Sequence, residues 1–134
     1  MKINIDIIRH EQHRYETAGD WWLDEEGVLQ VRVSQMEDSR YTALVALHEV
    51  VEVLVESIAR QGELKVRPSL VALTDAFDKR YEESRAEGDD YSEPGYDPDC
   101  PVYQGHMIAS AVEHLAAMLM NVNYNHYQAA IFDL

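Results

Sequence analysis

The stretch from Ala43 to Ile58 constrains this chain more than any other. It is almost wholly apolar, yet His48, Glu49, Glu52 and Glu56 break it. Four ionisable groups at these positions argue against a membrane span. The stretch reads instead as a helix buried or half-buried in a folded core. From Asp38 or Ser39 the hydrophobic period becomes helical, and either residue can N-cap. The helix is expected to run to about Arg60 and stop near Gly62. On a helical wheel of about 100° per residue, Leu44, Leu47, Val51, Leu54, Val55 and Ile58 share one side. Glu49, Glu52 and Glu56 share the other. His48 and Glu52 are one turn apart on the border, so both should be partly buried. Burying an imidazole and a carboxylate is costly unless a metal ion, a reciprocal hydrogen bond or a bound ligand satisfies them.

The remainder of the 134 residues supplies the rest of one domain, 1–134, with no internal repeat and no linker. Ile3, Ile5 and Ile7 alternate with Lys2, Asn4 and Asp6, which is the period of a half-buried strand. Val28 to Val33 alternates in the same way. The acidic Asp24-Glu25-Glu26-Gly27 suits a hairpin turn before it. Pro68-Ser69 opens a second helix with Leu70, Leu73, Phe77 and Tyr81 as its expected core row. Residues 88–101 are rich in proline, glycine and acid and read as a loop, either a cover over the helices or a lid. A third helix begins near Val102 and ends by Asn121, and Tyr124 to Phe132 forms a short helical tail. The expected fold is α+β: a small N-terminal antiparallel sheet, three main helices and a short C-terminal helix.

On the third helix His106 and Glu113 lie two turns apart on one face, with Ala109, Ser110 and Ala117 between and beyond them. Small residues let another helix approach, and the His48 helix is the natural partner. Packed together, His48, Glu52, His106 and Glu113 form a two-imidazole, two-carboxylate set suited to a first-row divalent ion, Zn, Mn or Fe. The competing reading is a hydrogen-bonded network of the same four residues without an ion. A lone His48–Glu52 pair at i, i+4 would contribute only about 0.3–0.5 kcal/mol. His114 and His126 are expected to be surface or structural, and His10 and His13 to reach a site only through the loop that carries them.

The order His48-Glu49-x-x-Glu52 resembles the His-Glu-x-x-His helix of zincin-type metallopeptidases, with Glu52 in place of the second His. That resemblance implies a metal-dependent hydrolase in which Glu49 is the base that deprotonates a water on the ion. A second reading is a non-catalytic accessory protein that captures a small molecule or a basic protein, using an aromatic pocket from Trp21, Trp22, Tyr91 or Tyr96. A third rests on Glu49-x-x-Glu52 and Asp75-x-x-Asp78, which loosely resemble the paired acidic motifs of all-α, Mg-dependent nucleotide pyrophosphohydrolases. There Asp75, Asp78 and Glu82 would be a Mg²⁺-binding surface rather than a solvated face.

The formal charge of −14 repels phosphate-coated partners, so no direct nucleic-acid binding is expected. The single cysteine, Cys100, allows no internal disulfide and has no activating neighbour in sequence. Without an uninterrupted apolar run at its start, the chain is expected in a reducing cytoplasm, away from membranes.

Four segments together resemble a group of small phage and bacterial proteins: Arg14 to Trp22, Leu47-His48-Glu49-x-x-Glu52, Asp75-x-Phe77-Asp78, and Glu93-Pro94-Gly95-x-Asp97-Pro98. The resemblance spans nearly the whole chain. It implies the cytoplasm of a phage's host as the setting and assigns no catalytic residue. It would place a Glu immediately before the third-helix His, where this chain has Gly105.

Overall fold

The computed structural model describes residues 1–87, of which 85–87 by backbone alone, and residues 93–134. Strands β1 (Ile3–Ile8), β2 (Gly19–Leu23) and β3 (Leu29–Ser34) form one sheet in the order β1-β3-β2. Helices α1 (Ser39–Gln61), α2 (Pro68–Glu87), α3 (Tyr103–Leu119) and α4 (Tyr124–Phe132) follow. The fold is α+β.

The expected β2–β3 hairpin is present and antiparallel, pairing Trp21 with Val31 and Leu23 with Leu29. Gly27 takes a left-handed φ of 75° at the turn, and the Asp24 carboxylate accepts from the backbone N–H of Glu26 and Val28. The sheet as a whole is mixed rather than antiparallel, because β1 runs parallel to β3, with Ile5 opposite Val31. The connection from β1 to β2 spans residues 9–18 and skips one strand position, about 10 Å at normal strand spacing. The hairpin then returns β3 into the gap, parallel to β1. Alternation in sequence gives strand and face but carries no record of this order. As the central strand, β3 buries Leu29, Val31, Val33 and Ser34. Edge strand β1 leaves Ile5 and Ile7 exposed, contrary to the half-buried reading.

Helix α1 lies on β2 and β3 and packs along α3. Asp38 caps its start by accepting from the Arg40 N–H at 2.9 Å. Gly62 ends it with φ 66°, its N–H bonded to the Ile58 carbonyl. Two arginines show that α1 and α3 are antiparallel. Arg40, near the start of α1, donates to the carbonyls of Met120 and Asn121 just past α3. Arg60, near the end of α1, donates to the Pro101 carbonyl just before α3. Asn123 caps α4 through the His126 N–H.

Two faces depart from the wheel. Along α1 the buried residues include His48, Glu52 and Glu56, whereas Ile58 is exposed and Leu47, Val51, Leu54 and Val55 are only half-buried. The inner face of α3, with small residues around His106 and Glu113, covers the polar side of α1, so burial follows the neighbour and not the apolar stripe. On α2, Leu70 is buried and Phe77 and Tyr81 are half-buried, but Leu73 is exposed. Among the described residues no helix is long and apolar enough to cross a membrane.

Candidate metal centre

Helix α3 turns Gly105, His106, Ala109, Glu113 and Ala117 inward. At Gly105 it comes so close to α1 that a Cβ would lie 2.8 Å from the Glu52 carbonyl oxygen and 2.5 Å from Glu56 Cγ. The Gly105 N–H instead donates to Glu56 Oε1 at 2.7 Å, and Glu56 also holds Arg60. A side chain at this position would require the helix pair to shift.

The close approach brings His48, Glu52 and His106 together, all buried. His48 Nε2 lies 3.0 Å from His106 Nδ1, and His106 Nδ1 lies 2.9 Å from Glu52 Oε2. The third side of the triangle, His48 Nε2 to Glu52 Oε2, is 3.5 Å. These are the edge lengths of a coordination shell: a point about 2.1 Å from all three atoms exists about 1 Å out of their plane. The three form a group that could hold a metal ion. Two imidazole nitrogens and one carboxylate oxygen on one side of an ion suit Zn, Mn or Fe and leave other positions open.

Behind these donors stand the groups that orient them. His48 Nδ1 contacts Glu113 Oε2 at 2.9 Å, and Glu113 Oε1 accepts from the Tyr124 hydroxyl at 2.8 Å. Glu113 therefore sits on the ring nitrogen of His48 that points away from the other two donors. It contacts the far side of the imidazole and lies outside the three-donor group, which it was expected to join. A carboxylate so placed fixes the tautomer and raises the basicity of the other nitrogen. The wheel gives Glu113 its face but cannot say which nitrogen of His48 it meets. Trp21 donates its indole N–H to Glu52 Oε1 at 3.0 Å, leaving Oε2 for the two imidazoles.

The buried charges of the site pair with one another. Burial alone would lower the pKa of His48, but hydrogen bonds to Glu113 and Glu52 outweigh it and hold the imidazolium up to about 11. Burial would raise that of Glu52, but hydrogen bonds from His106 and His48 bring it down to about 2. A positive charge on His48 thus neutralises buried carboxylates, and a divalent ion would take over that task by displacing the proton.

These residues open onto a cavity of about 740 Å³. Glu49 lines it, its Oε1 pressed against β2 where a Cβ on Gly19 would lie 2.3 Å away. Burial, and then repulsion from Glu52, raises the Glu49 carboxyl well above the usual range. Asp75, Asp78 and Glu82 of α2 line the same cavity, so they are not simply a solvated face. Burial and the neighbouring Glu52 push Asp78 up to about 7. Asp20 is buried beneath a two-point contact with Arg14 at 2.7 and 2.8 Å, and it also accepts from the Tyr15 hydroxyl. Among the described residues the lining contains no Lys or Arg.

The segment after the undescribed residues covers His106. A single 3-10 turn, Pro94–Tyr96, sets the Tyr96 ring edge-on to His106 with centroids 4.6 Å apart. Gly95 packs so closely that a Cβ would lie 2.3 Å from His106 Nδ1. Among the described residues His106 Nε2 is buried without a hydrogen bond, with Glu93 Oε2 3.7 Å away.

The other expected positions are also placed. Trp21 and Tyr96 line the cavity, but Trp22 lies against the guanidinium groups of Arg14 and Arg32, at 4.5 and 4.8 Å. Tyr91 lies outside the described residues, as does the 88–92 part of the expected loop. His10 and His13 both contact the buried Ser34 hydroxyl, at 3.0 and 2.9 Å, and His10 reaches the cavity wall. His114 is exposed and stacks on Tyr124; His126 is exposed and touches its cap through its backbone. Burial pushes the Cys100 thiol up to about 11, which leaves it unactivated.

No family model, curated protein or solved structure matches this chain.

Proposed function

We propose that this protein is a metal-dependent hydrolase in which His48, Glu52 and His106 hold a divalent ion and Glu49 is the general base. The observation that carries the reading is the three-donor cluster open to a cavity that Glu49 also lines. A divalent ion there would lower the pKa of a water toward neutrality. Glu49, on the wall of the same cavity, would receive the proton. Glu113 and Tyr124 keep His48 oriented, and Trp21 keeps Glu52 so. The proposed setting is the cytoplasm of a bacterial or phage-infected cell.

Metal content by plasma mass spectrometry, on untagged protein purified without chelator, is the test. Near-stoichiometric Zn, Mn or Fe is expected in the wild type and in Glu49→Gln, and none in His48→Ala. Equal metal in wild type and His48→Ala would remove His48 from the ligand set. With a substrate in hand, Glu49→Gln should lower turnover by about 10²–10⁴-fold while the metal stays. Unchanged turnover would take Glu49 out of the mechanism.

One observation favours a second reading, a Mg-dependent nucleotide pyrophosphohydrolase. Glu49 and Glu52 of α1 face the same cavity as Asp75 and Asp78 of α2. With no Lys or Arg in the described lining, a polyphosphate would enter only with its charge carried by metal ions. Hydrolysis of nucleoside triphosphates that requires Mg²⁺ and survives His106→Ala would favour it over the first reading.

A further inference from the structure

The inner face of α3 builds the candidate site; its outer face has no partner among the described residues. Met107, Ile108, Ala111, Leu115, Met118 and Leu119 are all exposed there, Leu115 at 63%, Met118 at 68% and Leu119 at 91%. Glu113 is the only Asp, Glu, Lys or Arg in the helix, and it is buried. In a chain of which 27% is charged, an outer helix face free of charge is the mark of a contact surface.

We propose that this face pairs with the same face of a second copy, as an antiparallel, twofold-symmetric α3–α3 contact. Ile108, Ala111, Leu115 and Met118 are spaced three, four and three residues apart, the seam of two helices packed knobs-into-holes. The order of sizes along the seam is self-complementary. Place a twofold axis level with Glu113. Leu115 of one copy then meets Ala111 of the other, Ile108 meets Met118, and Met107 meets Leu119. The central layers set a large side chain against a small one, so two copies interlock where two identical bulky rows would collide. An isologous contact of this kind is the commonest way for a chain to self-associate. Charge also selects the occupant. Each copy carries −14, so two copies can touch without burying like charges only on an uncharged face. A basic partner would be drawn to the acidic surfaces elsewhere.

Sedimentation equilibrium of the full chain at micromolar concentration, in low and in high salt, tests the proposal. A dimer is expected that tightens as salt rises, because salt screens the repulsion between two acidic copies while leaving apolar contact intact. The double variant Leu115→Glu, Met118→Glu should raise the dissociation constant by roughly 100-fold or more. Both residues are exposed within one copy, so the variant's circular dichroism and melting should match the wild type. A wild type that is monomeric at both salts would overturn the proposal and leave the face to a different protein. A double variant that folds normally and remains dimeric would overturn it as well.

Discussion

His48 meets a carboxylate on each of its nitrogens, and the two carboxylates have different tasks. Glu113 orients the ring, and Glu52 shares the space in which an ion would sit. The helical spacing of His48 and Glu52, and the face of His106, were legible in the sequence because one turn of helix fixes which side chains neighbour each other. Tyr124, Gly19 and Gly95, and the bond from Trp21 to Glu52, were not, because they reach the site from other elements at no fixed spacing from it. Gly95 makes the consequence testable. Gly95→Ala puts a methyl group where the His106 ring stands, so the ring or the 94–96 turn must move. Metal affinity should fall by about 10–100-fold, as for other losses of orienting contacts. Isothermal titration with Zn²⁺ measures this, and unchanged affinity would show that the turn does not hold His106. Asp78 gives a pH dependence. Its folded pKa of about 7 lies above the ordinary value of 3.8. The folded state therefore keeps a proton that the unfolded chain releases, and stability falls as pH rises from about 4 to about 7. Asp78→Asn removes that loss. Its urea midpoint should exceed that of the wild type at pH 8, and the gap should close toward pH 4. A gap independent of pH would mean that Asp78 titrates normally.

Helix boundaries came through from local chemistry: Asp38 and Gly62 cap α1, and Asn123 opens α4, each by contacts within a few residues of the end. What lay beyond the sequence was which face of each element a neighbour would cover. The polar side of α1 is the buried one because α3 lies on it, with Gly105 at the closest approach. Likewise the parallel pairing of β1 depends on a crossover that no alternation pattern records. In an isolated helix, Gly→Ala stabilises by about 1 kcal/mol. Here the added Cβ would meet a backbone carbonyl at 2.8 Å, and a carbonyl in mid-helix cannot swing aside as a side chain can. Gly105→Ala should therefore destabilise, by about 1–3 kcal/mol from overpacking. Because α3 must shift to relieve the clash, His106 should also move away from Glu52 and His48. Urea unfolding and Zn²⁺ titration on the same sample check both effects. A variant more stable than the wild type would show that the helices part without strain.

Across the molecule, charge and site bear on each other. Folding gathers Glu49, Glu52, Asp75, Asp78 and Glu93 around one cavity in a chain whose formal charge is already −14. Their mutual repulsion opposes the compact state. A divalent ion at His48, Glu52 and His106 would bind the folded chain and offset part of that repulsion. At about 100 times its dissociation constant such an ion stabilises by roughly 2.7 kcal/mol, which for a domain of this size raises the melting temperature by about 10 °C. Monovalent salt also weakens repulsion, but by screening, with no need of particular ligands. His48→Ala separates the two effects. It should keep the rise in melting temperature with added NaCl and lose the rise with Zn²⁺ or Mn²⁺. If His48→Ala responds to the divalent ions as the wild type does, their effect is charge screening over the acidic surface, and the buried cluster is a hydrogen-bonded network that stabilises the α1–α3 pair without metal.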